Sequence, residues 1–297
     1  MINPVFRRET RTTLRSWRIF AAMLIYTTLL AIAAGITLYI NSNMSYDYSF
    51  DPQSIMTLFI VLMAFQNFIV AVIVPSLTAG AISGERERQT LDLMLLTKMS
   101  TLSIVVGKLM SSMLTMLLII ISSLPVFSIV FYYGGVSLGS LLGMVGFTLL
   151  FAAMVGSISI FFSTITKKTV MSTVWTYIVL LTITLGNLIV TLLSAFLLND
   201  VLNEYSGSIF LRLSFMFNPG VAFFSLLDTL YSFGVVEGLL NSYYYSTTKN
   251  KLLMSIANTL SAIPLWVLSV VIMVGIIVLA LFLSARMIQP ARKGKKK

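Results

Sequence analysis

The sequence predicts an all-α polytopic membrane protein: six transmembrane helices, an N-terminal interfacial helix, a cytoplasmic helix between spans two and three, and an outer helical segment between spans five and six. Three observations carry this reading. Of the 297 residues, 58% are hydrophobic and 10% charged, where a soluble domain holds about 25% charged residues. Six apolar runs are each long enough to cross roughly 30 Å of hydrocarbon, for which a helix needs about 20 residues. The net charge is +10, and the basic residues gather on alternate connections, the pattern of cytoplasmic segments.

Residues 1–18 form the interfacial helix. On a helical wheel Phe6, Thr10, Thr13, Leu14 and Trp17 share an arc of about 100°, and Arg7, Arg8, Arg11, Arg15 and Arg18 occupy the neighbouring arc. Such a helix lies in the inner interface with its arginines toward anionic headgroups, Phe6, Arg11, Leu14, Arg15 and Trp17 acting as anchors. It serves either to fix topology or to dock a subunit.

Residues 19–198 carry spans one to five, as the runs Ile19 to Ile40, Ile55 to Ile82, Leu102 to Tyr133, Leu138 to Ile165 and Val170 to Leu198. The first run is too long for a signal peptide and leads into no small-residue cleavage site. The fourth carries Gly139, Gly143, Gly146 and Gly156, a small-residue face suited to close helix packing. Residues 199–260 form an outer segment. Within it Val221 to Leu240 is apolar, but Asp228 and Glu237 argue against a seventh span, since an ionised residue near a helix centre costs about 2.5 to 3.5 kcal/mol on insertion. Asn218 before Pro219 reads as an N-cap with proline in the first helical position, and Tyr243, Tyr244 and Tyr245 suit the headgroup layer. Residues 261–286 hold span six, the run Ala262 to Ala285, and 287–297 a basic tail.

With the N-terminus inside, the cytoplasmic pieces hold Arg7, Arg8, Arg11, Arg15, Arg18, Arg86, Arg88, Lys98, Lys108, Lys167, Lys168, Arg286, Arg292, Lys293, Lys295, Lys296 and Lys297. That leaves only Arg212, Lys249 and Lys251 of the 20 basic residues outside. Both termini are therefore expected in the cytoplasm.

Composition excludes much chemistry. There is no cysteine and no histidine, which removes disulfides, Cys/His metal sites, thiol nucleophiles and Ser-His-Asp triads. The pairs Gly107-Lys108 and Gly294-Lys295 lack the spacing of a phosphate-binding loop, so no motif for ATP hydrolysis is present. No span carries an Asp or Glu, the usual residues of ion-coupled carriers. Nucleic-acid binding is disfavoured because no soluble domain presents the basic residues. The polar exceptions are Gln66 and Asn67 midway along span two and Asn187 midway along span five. They either hydrogen-bond between helices, or line a path or a dimer seam.

The most informative stretch runs from Gly84 through Glu85, Arg86, Glu87, Arg88, Gln89, Thr90 and Leu91 to Leu95, Leu96, Lys98, Met99 and Ser100, followed by Gly107 and Lys108. The pattern predicts a short helix over 84–99 with Glu85 and Glu87 at its positive dipole end and Lys98 near its negative end. Glu85 to Arg88 and Arg88 to Asp92 are spaced for intrahelical pairs. Leu91, Leu95 and Met99 form an apolar stripe, while Leu93, Met94 and Leu96 point elsewhere, so the second half is apolar nearly all round and expects burial.

This stretch resembles the cytoplasmic connection in permease subunits of the type-2 ATP-binding cassette (ABC) exporter superfamily. The residues that match are Glu85, Glu87, Thr90, Leu91, Leu95, Leu96, Ser100, Gly107 and Lys108, and the opening Asn3-Pro4-Val5-Phe6-Arg7-Arg8-Glu9 with Arg15-Ser16 is similar too. Gln89 stands where glycine is common and Met99 where proline is common. The resemblance implies a six-span permease half in the bacterial cytoplasmic membrane that pairs with an identical or related half. It implies two separate ATPase subunits that bind ATP and Mg, with no cofactor on this chain and no catalysis by it. Helix 84–99 would be the coupling helix, with Glu85, Glu87, Arg88, Thr90, Leu91, Leu95, Leu96 and Lys98 in docking and coupling. Spans two and five would flank the path and residues 199–260 would lid it. A peptide or hydrophobic, amphiphilic compound is the expected substrate class. The competing readings are a non-transporting anchor or sensor subunit and an uncoupled channel or carrier.

Overall fold

A computed structural model describes residues 16–44, 52–91, 100–134, 136–197, 213–232, 234, 236 and 263–288. Among the described residues all regular structure is helical: α1 Trp17–Met44, α2 Pro52–Thr78, α3 Gly80–Glu87, α4 Thr101–Ser122, α5 Leu124–Tyr132, α6 Leu138–Ile165, α7 Thr169–Leu197, α8 Pro219–Tyr231 and α9 Leu265–Met287. Six of the helical stretches are long and apolar enough to cross a membrane. The chain divides into two compact units, Met1–Thr176 with Ile277–Lys297, and Tyr177–Ile276.

In the first unit α2 is central and packs on α1, α4, α5 and α6. Its buried side chains Ile55, Leu58, Phe59, Leu62, Met63, Gln66, Ile69, Val70 and Val74 recur at helical spacing, with Val61, Phe68, Val72 and Leu77 exposed opposite. Phe59 meets Phe127 of α5 edge to face, centroids 6.3 Å apart. α6 is buried on all sides from Met154 to Ile160.

Two expected elements differ. The run Leu102 to Tyr133 is two helices broken at Ser123, because Pro125 lacks an N–H and its ring excludes the carbonyl one turn back. Ser123 restores the register: its N–H and Oγ both reach Ile120 O, at 3.1 and 2.6 Å, and its own carbonyl accepts from Val126 and Phe127. The expected helix over 84–99 does not start at Gly84. Residues 84–87 are the last turn of α3, which follows α2 after a one-residue break at Ala79, four residues past Pro75. Glu85 and Glu87 therefore stand at a helix C-terminus, the end opposite to the one expected. Lys108, counted with the connection by sequence, lies inside α4 and is 5% exposed. Trp17 belongs to α1 rather than to a separate interfacial element; Phe6, Arg11, Leu14 and Arg15 lie outside the described residues.

The glycine face of α6 is also only partly used. A Cβ on Gly156 would meet Leu109 Cδ1 at 3.0 Å and Met113 Cε at 3.3 Å, whereas Gly143 and Gly146 have nothing within 4 Å and Gly139 meets only Ser137 of its own segment. Gly156→Leu should therefore cost about 1 to 3 kcal/mol through overpacking, and Gly143→Leu should fall within about 0.5 kcal/mol of the parent. Thermal unfolding of the solubilised chain reads the difference, and equal midpoints would show that the α4–α6 contact has slack.

In the second unit α8 has 13 residues, about 20 Å of helix and too short to cross a bilayer, in line with the reading of six spans. Asn218 is its N-cap, accepting from Gly220 N at 2.9 Å, and Pro219 opens the helix. Asn218 Nδ2 also donates to Thr184 O of α7 at 3.2 Å, and Trp266 N of α9 donates to Ser225 Oγ at 3.2 Å. Asp228 is buried and its carboxylate accepts Val236 N at 2.6 Å, which folds the chain back after the left-handed Ser232. Glu237 and the Tyr243–Tyr245 cluster lie outside the described residues.

Candidate functional site

Glu85, Arg86, Glu87 and Lys108 converge where α3 ends. Helix α3 begins without a side-chain cap, since Ala79 offers none to the N–H groups of its first turn. Ser163 Oγ of α6 supplies the acceptor, taking Ile82 N at 3.0 Å and Ser83 N at 2.9 Å, and donates to Ser83 Oγ at 3.1 Å. Ser83 Oγ in turn donates to Ala79 O at 2.7 Å. The start of α3 is thereby fixed on α6 by a hydroxyl about 80 residues distant in sequence.

Its end carries three charges with three different tasks. Glu85 Oε1 accepts Lys108 Nζ of α4 at 3.1 Å, and its other oxygen accepts the Thr90 hydroxyl. Arg86 donates to Thr166 O at 2.9 Å and Thr164 O at 3.1 Å, the last carbonyls of α6, where a cation suits the negative dipole end. Glu87 accepts Thr169 N at 2.7 Å and the Thr169 hydroxyl at 3.1 Å, and so caps the positive end of α7. The same threonine rests against α3 where side chains are small: a Cβ on Gly80 would lie 3.4 Å from its Cγ2 and one on Gly84 3.8 Å from its Oγ1.

After Arg88 the chain leaves the helix at Gln89, φ +57°, a left-handed conformation that glycine adopts freely. Thr90 N closes this turn on Glu85 O at 2.9 Å. Leu91 is packed inward against the cluster of Ile82, Val105, Leu109, Ile160 and Ile288, so the first leucine of the expected stripe is not presented outward. Arg88, Gln89, Lys167 and Lys168 are exposed around the turn.

Of the residues singled out by sequence, Glu85, Glu87, Arg88, Thr90 and Leu91 are thus brought together, while Leu95, Leu96 and Lys98 lie outside the described residues. Glu85 pairs with Lys108 across helices in place of the expected intrahelical Arg88. Gln66 is fully buried on the apolar stripe of α2, its amide without a hydrogen-bond partner among the described residues. Asn67 Nδ2 donates to Met63 O of its own helix at 2.9 Å. Asn187 Nδ2 donates to Ser214 O at 2.6 Å, tying α7 to the chain before α8. Sequence reasoning passed over Arg86, Ser163 and Thr169. Arg86 could have been suspected from its place between two glutamates, but a lone Ser and Thr in apolar surroundings carry no such signal.

Among the described residues no three Asp, Glu, His or Cys side chains gather as metal ligands, and both carboxylates of the cluster are engaged by Lys108 and Thr169. What the arrangement does is mechanical: it fixes the end of one helix to three others.

Six helices long and apolar enough to cross a membrane, four of them meeting at the charged junction that ends α3, define an integral, multi-pass membrane protein. The family model described as ABC-2 family transporter protein matches residues 3–288, and the chain belongs to that family. It is accordingly a permease subunit of an ABC transporter, a membrane component of a kind generally not catalytic itself, whose family implies ATPase subunits as partners. No curated protein matches the chain.

Proposed function

We propose that this chain is one half of the membrane path of an ATP-driven exporter in a bacterial cytoplasmic membrane, with both termini in the cytoplasm. It pairs with an identical or related half and is driven by separate ATPase subunits that hold ATP and Mg, binding no cofactor itself. The segment after Gln89, with Leu95, Leu96 and Lys98, is the coupling element received by the ATPase, and the substrate is a peptide or other hydrophobic, amphiphilic compound. The observation that supports coupling best is the fixation of α3: its end is bonded to α4, α6 and α7 at once, so a push on the residues that follow meets a stiff junction rather than a loose loop. Gln66 is buried within the single chain, which supports a packing role for it over contact with substrate.

The test is co-purification. Leu95→Asp with Leu96→Asp places two carboxylates in what is read as an apolar docking face, and the ATPase should be lost from the purified complex while the permease keeps its thermal midpoint. Retention of the ATPase with ordinary nucleotide-dependent activity in a folded double variant would overturn the assignment.

A further inference from the structure

We propose that Arg86 and Glu87 are positioning residues that clamp the α6–α7 turn to the end of α3, so that movement of the coupling segment enters span five at Thr169. This rests on the coupling role proposed for the segment after Gln89.

The geometry is that of a two-sided grip. Residues 86 and 87 are consecutive and point about 100° apart on a helix. One reaches the carbonyls that end α6 and the other the N–H that begins α7. Each charge opposes the dipole of the terminus it holds, the cation at a C-terminus and the anion at an N-terminus. Helix α7 has no acidic residue in its own first turn, and Glu87 supplies that charge from another helix. Lateral slip is limited as well, because Thr169 is flanked by Gly80, Ser83, Gly84 and Glu87, which recur at helical spacing on one face of α3. The grip is two residues from the left-handed turn at Gln89, so it sits where the rigid helix hands over to the segment that the ATPase would move.

A purely structural contact and a transmitting one part company under load. The chain has no cysteine, so spin labels can be placed singly at Val174→Cys, exposed on α7, and at Gln89→Cys, exposed at the turn. The measurement is the change in label mobility on adding ATP with vanadate to the reconstituted complex of permease and ATPase. In the parent complex both labels should respond. With Glu87→Ala or Arg86→Ala the Gln89→Cys label should still respond, while the α7 response falls about tenfold, the loss expected for a charge-assisted hydrogen bond. Thr169→Ser, which keeps both donors to Glu87, should restore a parental response where Thr169→Val weakens it, and this pair remains informative where an alanine variant fails to assemble. A full α7 response in Glu87→Ala, Arg86→Ala and Thr169→Val would overturn the clamp with the coupling role intact. No response from either label in the parent complex would overturn the coupling role and the clamp with it.

Discussion

Glu85→Leu should lower the stability of the solubilised chain by about 3 to 5 kcal/mol, the usual cost of breaking a buried ion pair from one side. The reason is the unequal burial of the pair: the Lys108 side chain is 6% exposed and that of Glu85 29%. Lys108 stands seven residues into α4, about 10 Å from its start, where little water can replace the lost carboxylate. Removing the other partner should hurt less. Lys108→Met leaves a carboxylate that still reaches solvent and keeps the Thr90 hydroxyl, and it substitutes an apolar chain of similar length. The double variant Glu85→Leu with Lys108→Met should recover most of the loss, since a buried pair replaced by apolar groups is often near neutral. Thermal unfolding of the four chains gives the coupling energy directly. Equal losses in the two single variants would mean that water reaches Lys108 and that the asymmetry is not energetic.

That Lys108 was counted with the cytoplasmic connection, yet lies buried inside α4, shows where sequence stops being informative. The spans were legible because the bilayer dictates their length: Leu138 to Ile165 coincides with α6, and Val170 to Leu198 with α7 to within a residue at either end. The N-cap at Asn218 was legible because capping is local chemistry. The break at Ser123 was signalled by Pro125 but hidden inside an unbroken apolar run. The course of α3 was misread for a different reason. Glycines at 80 and 84 followed by a charged string look like the end of a span and the start of a new helix, and local propensity alone favours that. The helix continues because groups from elsewhere complete it: Ser163 takes the donors at its start, and Arg86 and Glu87 find helix termini to hold at its end. None of those partners has a sequence spacing that could announce it. The same limit applies to the glycines of α6, where Gly156 meets α4 and Gly143 and Gly146 do not, although all four read as one packing face.

Ser163 therefore makes the strongest test of whether α3 is held by tertiary bonds. Ser163→Ala deletes an oxygen that serves two backbone donors, and Ser163, Ile82 and Ser83 are all fully buried. A buried donor left unsatisfied costs about 1 to 3 kcal/mol, and Ile82 N is that donor, since Ser83 N also has the carbonyl of the N-cap residue Ala79 as its in-helix acceptor; the loss should therefore be about 1 to 3 kcal/mol. The loss should also be local before it is global. Amide exchange at Ile82 should accelerate strongly in Ser163→Ala and that at Ser83 less, while the amide of Val105, buried on α4 in the same hydrophobic cluster, changes only by the global loss of stability. Ser163→Thr keeps the oxygen and adds a methyl group, so its exchange at Ile82 should stay near parental even if the added volume lowers the midpoint. Parental exchange at Ile82 in the alanine variant would mean that another acceptor takes its N–H, and that the start of α3 owes its position to the packing of Ile82 rather than to the Ser163 hydroxyl. The two causes separate further at Ile82→Val, which leaves both hydrogen bonds in place and should cost about 0.5 to 1.5 kcal/mol for the methylene alone.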